Sequence, residues 1–184
     1  MSDLLRKLTV QGTVLLVIDV QERLLPAIHE SEQCAANVRK MIDAAKVLGV
    51  PLIVTEQYPA GLGPTCASIR EALGDEKAIE KMRFSACVEA TTARLGELDR
   101  RQVLVVGIEA HVCVQQTVLD LLRLDYNPYV CADAVSSRRA IDRDTALARM
   151  RQAGAIITTS ESAIFELLGE AGTNQFKQVL KIVK

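Results

Sequence analysis

The chain has 184 residues, 22 Lys and Arg against 23 Asp and Glu, a net charge of −1 and a hydrophobic fraction of 49%. That length predicts one domain, residues 1–184, able to bury a full core without staples. The balanced, interspersed charge excludes a field for nucleic acid or anionic lipid; Arg138-Arg139 and the basic C-terminal stretch read as solvated faces.

In chain order, Met1-Ser2-Asp3-Leu4-Leu5-Arg6-Lys7 lacks the charged-then-apolar order of a signal peptide. No apolar run approaches the roughly 20 residues a bilayer span needs. Thr13–Ile18 is a β-branched apolar run, a predicted strand with Asp19 at its end. Ser31–Leu48 predicts a helix, because Cys34, Val38, Met41, Ile42, Ala45 and Leu48 recur at steps of three and four. Gly49 before Pro51 stops it. A second strand is expected over 51–55, followed by Glu56 and by the Gly/Pro loop Tyr58-Pro59-Ala60-Gly61-Leu62-Gly63-Pro64-Thr65. A weaker third strand covers 78–80, with Lys81 next, and a fourth covers 102–106, reaching Gly107. A helix over 114–124 aligns Val114, Val118, Leu121 and Leu122. After Asn127-Pro128 comes a fifth strand, 129–132, ended by Asp133. A helix over 140–152, a sixth strand over 155–158 and helices over Ser160–Leu168 and 176–183 complete the set.

Strands apolar throughout, rather than alternating, are covered on both faces and suit parallel pairing. Alternating with helices, they predict a doubly wound, mainly parallel six-stranded α/β sheet with helices on both faces. In such sheets ligands bind beyond the carboxyl ends of strands, near the reversal of strand order. The polar residues there are Asp19, Glu56, Lys81 and Asp133, with Cys113 just after the fourth strand. Asp133 reads better as a turn or helix cap.

Five cysteines, Cys34, Cys66, Cys87, Cys113 and Cys131, are odd in number and form no C-x-x-C pair. That argues against a disulfide framework, a zinc ribbon and a redox pair, and makes a reducing cytoplasm the expected compartment. Four of them read as structural, Cys66 as the most exposed of these. Cys113 opens a helix, where the dipole favours thiolate and unpaired N–H groups can hold an oxyanion. Asp19 can take its proton and Lys81 can favour both ionised partners. A core cysteine acting as a small hydrophobe fits the same position.

The motifs Val17-Ile18-Asp19-Val20-Gln21, Lys81-Met82-Arg83-Phe84-Ser85-Ala86 and Gly107-Ile108-Glu109-Ala110-His111-Val112-Cys113-Val114 stand in a fixed order. Thr55-Glu56-Gln57-Tyr58-Pro59 and Ser160-Glu161-Ser162 onward to Leu168 extend the pattern over nearly the whole chain. The sequence thereby resembles the isochorismatase-like cysteine hydrolases. The resemblance implies an Asp19–Lys81–Cys113 triad and a cis peptide at Ile108–Glu109. It also implies an oxyanion hole from the Glu109 and Cys113 N–H groups, a thioester acyl-enzyme with a small amide-type substrate, and homo-oligomers. Nicotinamidases of the family carry an Asp-x-His pair and further histidines after the second strand. Here Glu56-Gln57-Tyr58 stands in that place, and only His29 and His111 occur. The family's metal site is therefore read as absent, no cofactor is expected, and nicotinamide is disfavoured as substrate.

Gln21, Gln57, Tyr58, Phe84 and His111 are candidate substrate-binding residues, each with a structural role as the competing reading; His29 reads as a solvated surface residue. Three other functions remain open: vinyl-ether hydrolysis, a catalytically silent interaction protein on this scaffold, and a redox-sensing cysteine.

Overall fold

The computed structural model describes residues 7–184, so all but Lys7 of the opening segment read for a leader lies outside the described residues. The strands are β1 (Thr13–Ile18), β2 (Leu52–Gln57), β3 (Ile79–Lys81), β4 (Gln102–Ile108), β5 (Asn127–Ser136) and β6 (Ile156–Thr158). The helices are α1 (Ser31–Leu48), the single turn α2 (Pro59–Leu62), α3 (Ala67–Leu73), α4 (Glu89–Leu98), α5 (Gln115–Arg123), α6 (Ala140–Ala153), α7 (Ser160–Leu168) and α8 (Asn174–Val183).

The sheet order is β3-β2-β1-β4-β5-β6, and every neighbouring pair is parallel. Strand periodicity divides the core in two. Leu15, Val17, Leu104 and Val106 face α1, α3, α7 and α8, whereas Val14, Leu16, Val103 and Val105 face α4, α5 and α6. Burial on both faces is why β1 and β4 read as unbroken apolar runs. Each large aliphatic side chain so buried contributes about 1.5–3 kcal/mol, and α1 alone buries Val38, Met41, Ile42 and Leu48. Among the described residues, no helix is long and apolar enough to cross a membrane.

The chain winds outward from the middle in both directions, so the order reverses between β1 and β4. The close approach of these two strands rests on Gly107, paired with Ile18. Its φ is +121°, and a Cβ there would sit 2.0 Å from the Ile18 carbonyl oxygen.

Several boundaries differ from the sequence expectation. β2 runs on through Glu56 and Gln57, and β3 includes Lys81. The Asn127-Pro128 pair opens β5 rather than preceding it, and β5 passes through Asp133 to Ser136, with an irregular register opposite Val105 and Gly107. Asp133 does cap a helix, but a distant one: its Oδ1 accepts from the Ser160 N–H (2.8 Å) and hydroxyl (3.0 Å) at the start of α7. The sequence reading omits α2, α3 and α4. Cys66 is buried, because its backbone N–H donates to the Val20 carbonyl and its side chain packs into the α1 layer; Cys87 is the half-exposed thiol instead.

Gly107→Ala is expected to lose at least about 4 kcal/mol of stability, since backbone must move to admit the methyl. Gly49→Ala, where φ is also positive but space is open, is expected to lose only about 1–2 kcal/mol. Denaturant unfolding of the two variants checks the contrast.

Candidate active site

Asp19 leaves β1 with φ 53°, a left-handed turn that an aspartate tolerates. Its N–H donates to the Thr55 carbonyl. Both carboxylate oxygens are occupied inside the protein. Oδ1 accepts from the Thr55 hydroxyl at 2.7 Å, and Oδ2 accepts from Lys81 Nζ at 2.6 Å. The Cys113 thiol lies near enough for this carboxylate's charge to act on it.

Lys81 stands in register beside Gln57 at the carboxyl edge, and its side chain, like that of Asp19, is wholly buried. Its strand neighbour Glu80 is exposed, as alternation along a strand places it on the other face. Besides Asp19, Nζ donates to Gln57 Oε1 (2.9 Å), the Phe84 carbonyl (2.9 Å) and the Arg83 carbonyl (3.2 Å). Two buried charges are costly unless paired and fully hydrogen-bonded, and these acceptors meet that requirement.

Cys113 follows β4 in a π-type turn, Ala110–Val114, that runs into α5. The peptide between Ile108 and Glu109 is cis. Thr117, fully buried, holds the turn: its hydroxyl donates to the Cys113 carbonyl (2.6 Å) and accepts from the Ala86 N–H (2.8 Å). Cys113 is 5% exposed.

The helix N-terminus is expected to favour thiolate, but burial outweighs it. Burial pushes the Cys113 thiol up to about 12, the Asp19 charge pushes the same way, and the Lys81 charge pulls it down by less. Burial also raises the Asp19 carboxyl, against the lowering pull of Lys81 and of the hydrogen bonds from Lys81, Thr55 and Cys113. At neutral pH the cysteine is therefore a thiol beside an ionisable base.

The other candidates divide into two groups. Gln21 is buried, and its amide is consumed by backbone: Nε2 donates to the Gln57 and Gly63 carbonyls, and Oε1 accepts from the Gln57 N–H. Gln57 holds Lys81 through Oε1 and the Met82 carbonyl through Nε2. Both stand behind the ion pair. Tyr58 and Phe84 are half-exposed at the strand ends. His111 is partly buried, with Nδ1 3.0 Å from the Ser137 hydroxyl, and His29 is exposed. Glu109 has its carboxylate in the site, where its charge reaches Cys113. Glu56 accepts from the N–H and hydroxyl of Thr65, fastening the Gly/Pro loop. Sequence reasoning missed Thr55 and Thr117; their only sequence signal is a polar residue inside an apolar element. Among the described residues, no three His, Cys, Asp or Glu side chains converge in a way that could hold a metal ion.

Residues 13–162 match the family described as Isochorismatase domain. Isochorismatase domain-containing protein 2 of Xenopus laevis is 41% identical over 186 residues, which covers 100% of this chain and 90% of that protein. A secreted isochorismatase effector, Isc1, of Phytophthora sojae (strain P6497) is 42% identical over 185 residues, 98% of this chain and 88% of the effector. The solved structure of a protein called MAR1 ribonuclease, from Caenorhabditis elegans, shares 42% identity at a TM-score of 0.92, covering 97% of this chain and 92% of that one.

With the thiol pushed up to about 12, the rate of Cys113 alkylation by iodoacetamide is expected to climb about tenfold per pH unit from about 7 to 9, without a plateau. Asp19→Asn removes a negative neighbour, so it should speed alkylation at fixed pH. Peptide-resolved mass spectrometry over a pH series measures both.

Lys81→Met, which leaves the Asp19 carboxylate buried without its cation, is expected to cost about 3–5 kcal/mol. The double variant Asp19→Asn/Lys81→Met should recover much of that loss in urea unfolding.

Proposed function

The chain belongs to the isochorismatase family, and from that premise we propose that it is a cysteine-dependent hydrolase. Its substrate is a small amide-type compound whose C–N bond is cleaved through a thioester at Cys113. The observation that carries this reading is the single buried carboxylate, Asp19, paired with the Lys81 ammonium at 2.6 Å and close enough to Cys113 for its charge to act on the thiol. An acyl-transfer site needs a nucleophile, a base in contact with it, and a cation that keeps the base ionised when water is excluded.

Asp19 takes the thiol proton as Sγ attacks the carbonyl carbon. The backbone N–H groups of Glu109 and Cys113 receive the oxyanion. The C–N bond then breaks, and the amine departs with the proton from Asp19. Water gives a proton to Asp19 and its hydroxyl to the thioester; the acid leaves, and the proton returns to Sγ. Lys81 stays in place throughout, because four acceptors surround Nζ. The raised thiol favours general-base attack over a standing thiolate, as the proton moves only when the carbonyl is in place.

Tyr58, Phe84 and His111 line the approach in this reading, with Gln21 and Gln57 as supports of the ion pair. Free thiols at all five cysteines fit a reducing compartment such as the cytoplasm. Copies of the chain are expected to associate, since Met82, Phe84 and Tyr58 leave apolar surface open beside the site.

Intact-mass analysis after mixing with a panel of small amides, quenched in acid, tests the proposal. The expected result is an acyl adduct on Cys113 that hydroxylamine removes. Cys113→Ala should show neither adduct nor turnover, and hydrolysis by that variant at the wild-type rate would refute the reading. Asp19→Asn should lose at least about 10³ in kcat/KM even though its thiol alkylates faster, a reversal of sign that steady-state kinetics and alkylation rates together reveal.

A further inference from the structure

The cis-linked residue of the site carries a side chain with no part in the chemistry above. Glu109 lies between β4 and the Cys113 turn, with its side chain only 9% exposed. Its Oε2 accepts two hydrogen bonds from Arg138, from the backbone N–H (3.1 Å) and from Nε (3.1 Å). The Arg138 side chain is 61% exposed, so the clamp approaches from the solvent side. Oε1 receives no hydrogen bond from any described residue, yet it is not a sealed, unpartnered atom. A nearly buried carboxylate fixed by one oxygen has its other oxygen free for a ligand. It lies four residues before the nucleophile, and its charge adds to the forces that raise the Cys113 thiol. Of the other polar groups nearby, Asp19 and Lys81 are bonded to each other, and the Ser137 hydroxyl is engaged with His111.

We propose that the Glu109 side chain is a specificity-determining group, its Oε1 accepting a hydrogen bond from an N–H-bearing neutral or cationic group of the substrate. The class it selects is amides, ureas and amidine-like compounds whose nitrogen sits close to the attacked carbon. Compounds bearing an anionic group at that position are rejected, because a carboxylate would face Glu109 in a site shielded from water. Arg138 acts as a positioning residue: it anchors Oε2 and leaves Oε1 directed to the ligand. This inference rests on the reading of Cys113 as a reachable nucleophile.

The test needs no knowledge of the substrate. Three methanethiosulfonates of similar reactivity transfer a trimethylammonium-ethyl, a sulfonato-ethyl or a methyl group to a thiolate, forming a mixed disulfide and releasing methanesulfinate. Their rates at Cys113 are followed by peptide mass spectrometry on the full chain. Wild type is expected to prefer the cationic probe over the anionic one by on the order of tenfold. Glu109→Gln should speed all three, since a negative neighbour of the thiol is gone, and should bring the cationic-to-anionic ratio toward parity. Glu97→Gln, on α4 at the far edge of the sheet, controls for net charge and should leave the ratio as in wild type. Arg138→Gln removes the counter-charge and should raise the ratio; it also decides the matter if Glu109→Gln does not fold. An unchanged ratio in Glu109→Gln, or a ratio that fails to rise in Arg138→Gln, overturns the inference while leaving Cys113 as nucleophile. Absence of modification at Cys113 by all three probes overturns the nucleophile reading, and this inference with it.

Discussion

The buried pair of Asp19 and Lys81 sets the terms for everything around it. Each charge would cost several kcal/mol to remove from water alone, and the attraction between them repays that only when the remaining hydrogen-bonding capacity is filled. The surrounding structure fills it. Thr55 completes the carboxylate, and Gln57 with the Arg83 and Phe84 carbonyls completes the ammonium. A hydrophobic pair of equal volume would give comparable stability with fewer demands on its neighbours. That the fold supports the costlier arrangement, at the reversal of strand order beside a cysteine, is a reason to regard the site as chemical rather than structural.

Bringing Asp19 and Cys113 together requires the two ends of β1 and β4 to lie side by side. The sequence makes this legible, because both strands are apolar on both faces and end on Asp19 and Gly107. The bounds of β1, α1 and α7 agree with the expectation for the same reason: strong periodicity and clear stops at Gly49 and Gly169. β3 is barely visible, being three residues long, with Lys81 buried by its ion pair rather than by hydrophobicity. α4 carries only Thr91 and Leu95 inward, too few to make an apolar stripe, and α3 has seven residues directly after the Gly/Pro loop. The roles of Gln21, Gln57, Thr55 and Thr117 depend on strand register and on contacts 24–36 positions apart. No local pattern encodes those separations.

The helix dipole's pull toward thiolate is outweighed on magnitude. A helix N-terminus favours an anion by about 0.3–1 kcal/mol, and Lys81 adds a cation at short range. Full burial can raise a thiol by several pK units, and the nearest acid is Asp19, whose charge opposes thiolate. Much of the Lys81 charge is already spent on Asp19 and three further acceptors. In the proposed mechanism the cysteine would therefore depend on an adjacent base, as the hydroxyl of a serine hydrolase does, more than on a preformed thiolate.

The same contacts close into a ring, which explains why residues remote from any reacting atom belong to the site. The Asp19 charge acts on the Cys113 thiol, Asp19 is bonded to Lys81, and Lys81 to the Phe84 carbonyl. Two residues on, the Ala86 N–H donates to the Thr117 hydroxyl, which donates in turn to the Cys113 carbonyl. Elements from β1, β3, the segment after β3 and α5 are thereby fixed to one another through single hydrogen bonds. The Phe84–Ala86 segment thus touches both the Lys81 ammonium and, through Thr117, the Cys113 turn. Three of its members, the Phe84 and Cys113 carbonyls and the Ala86 N–H, are backbone groups that substitution of side chains leaves in place, so the ring depends on only a few side chains.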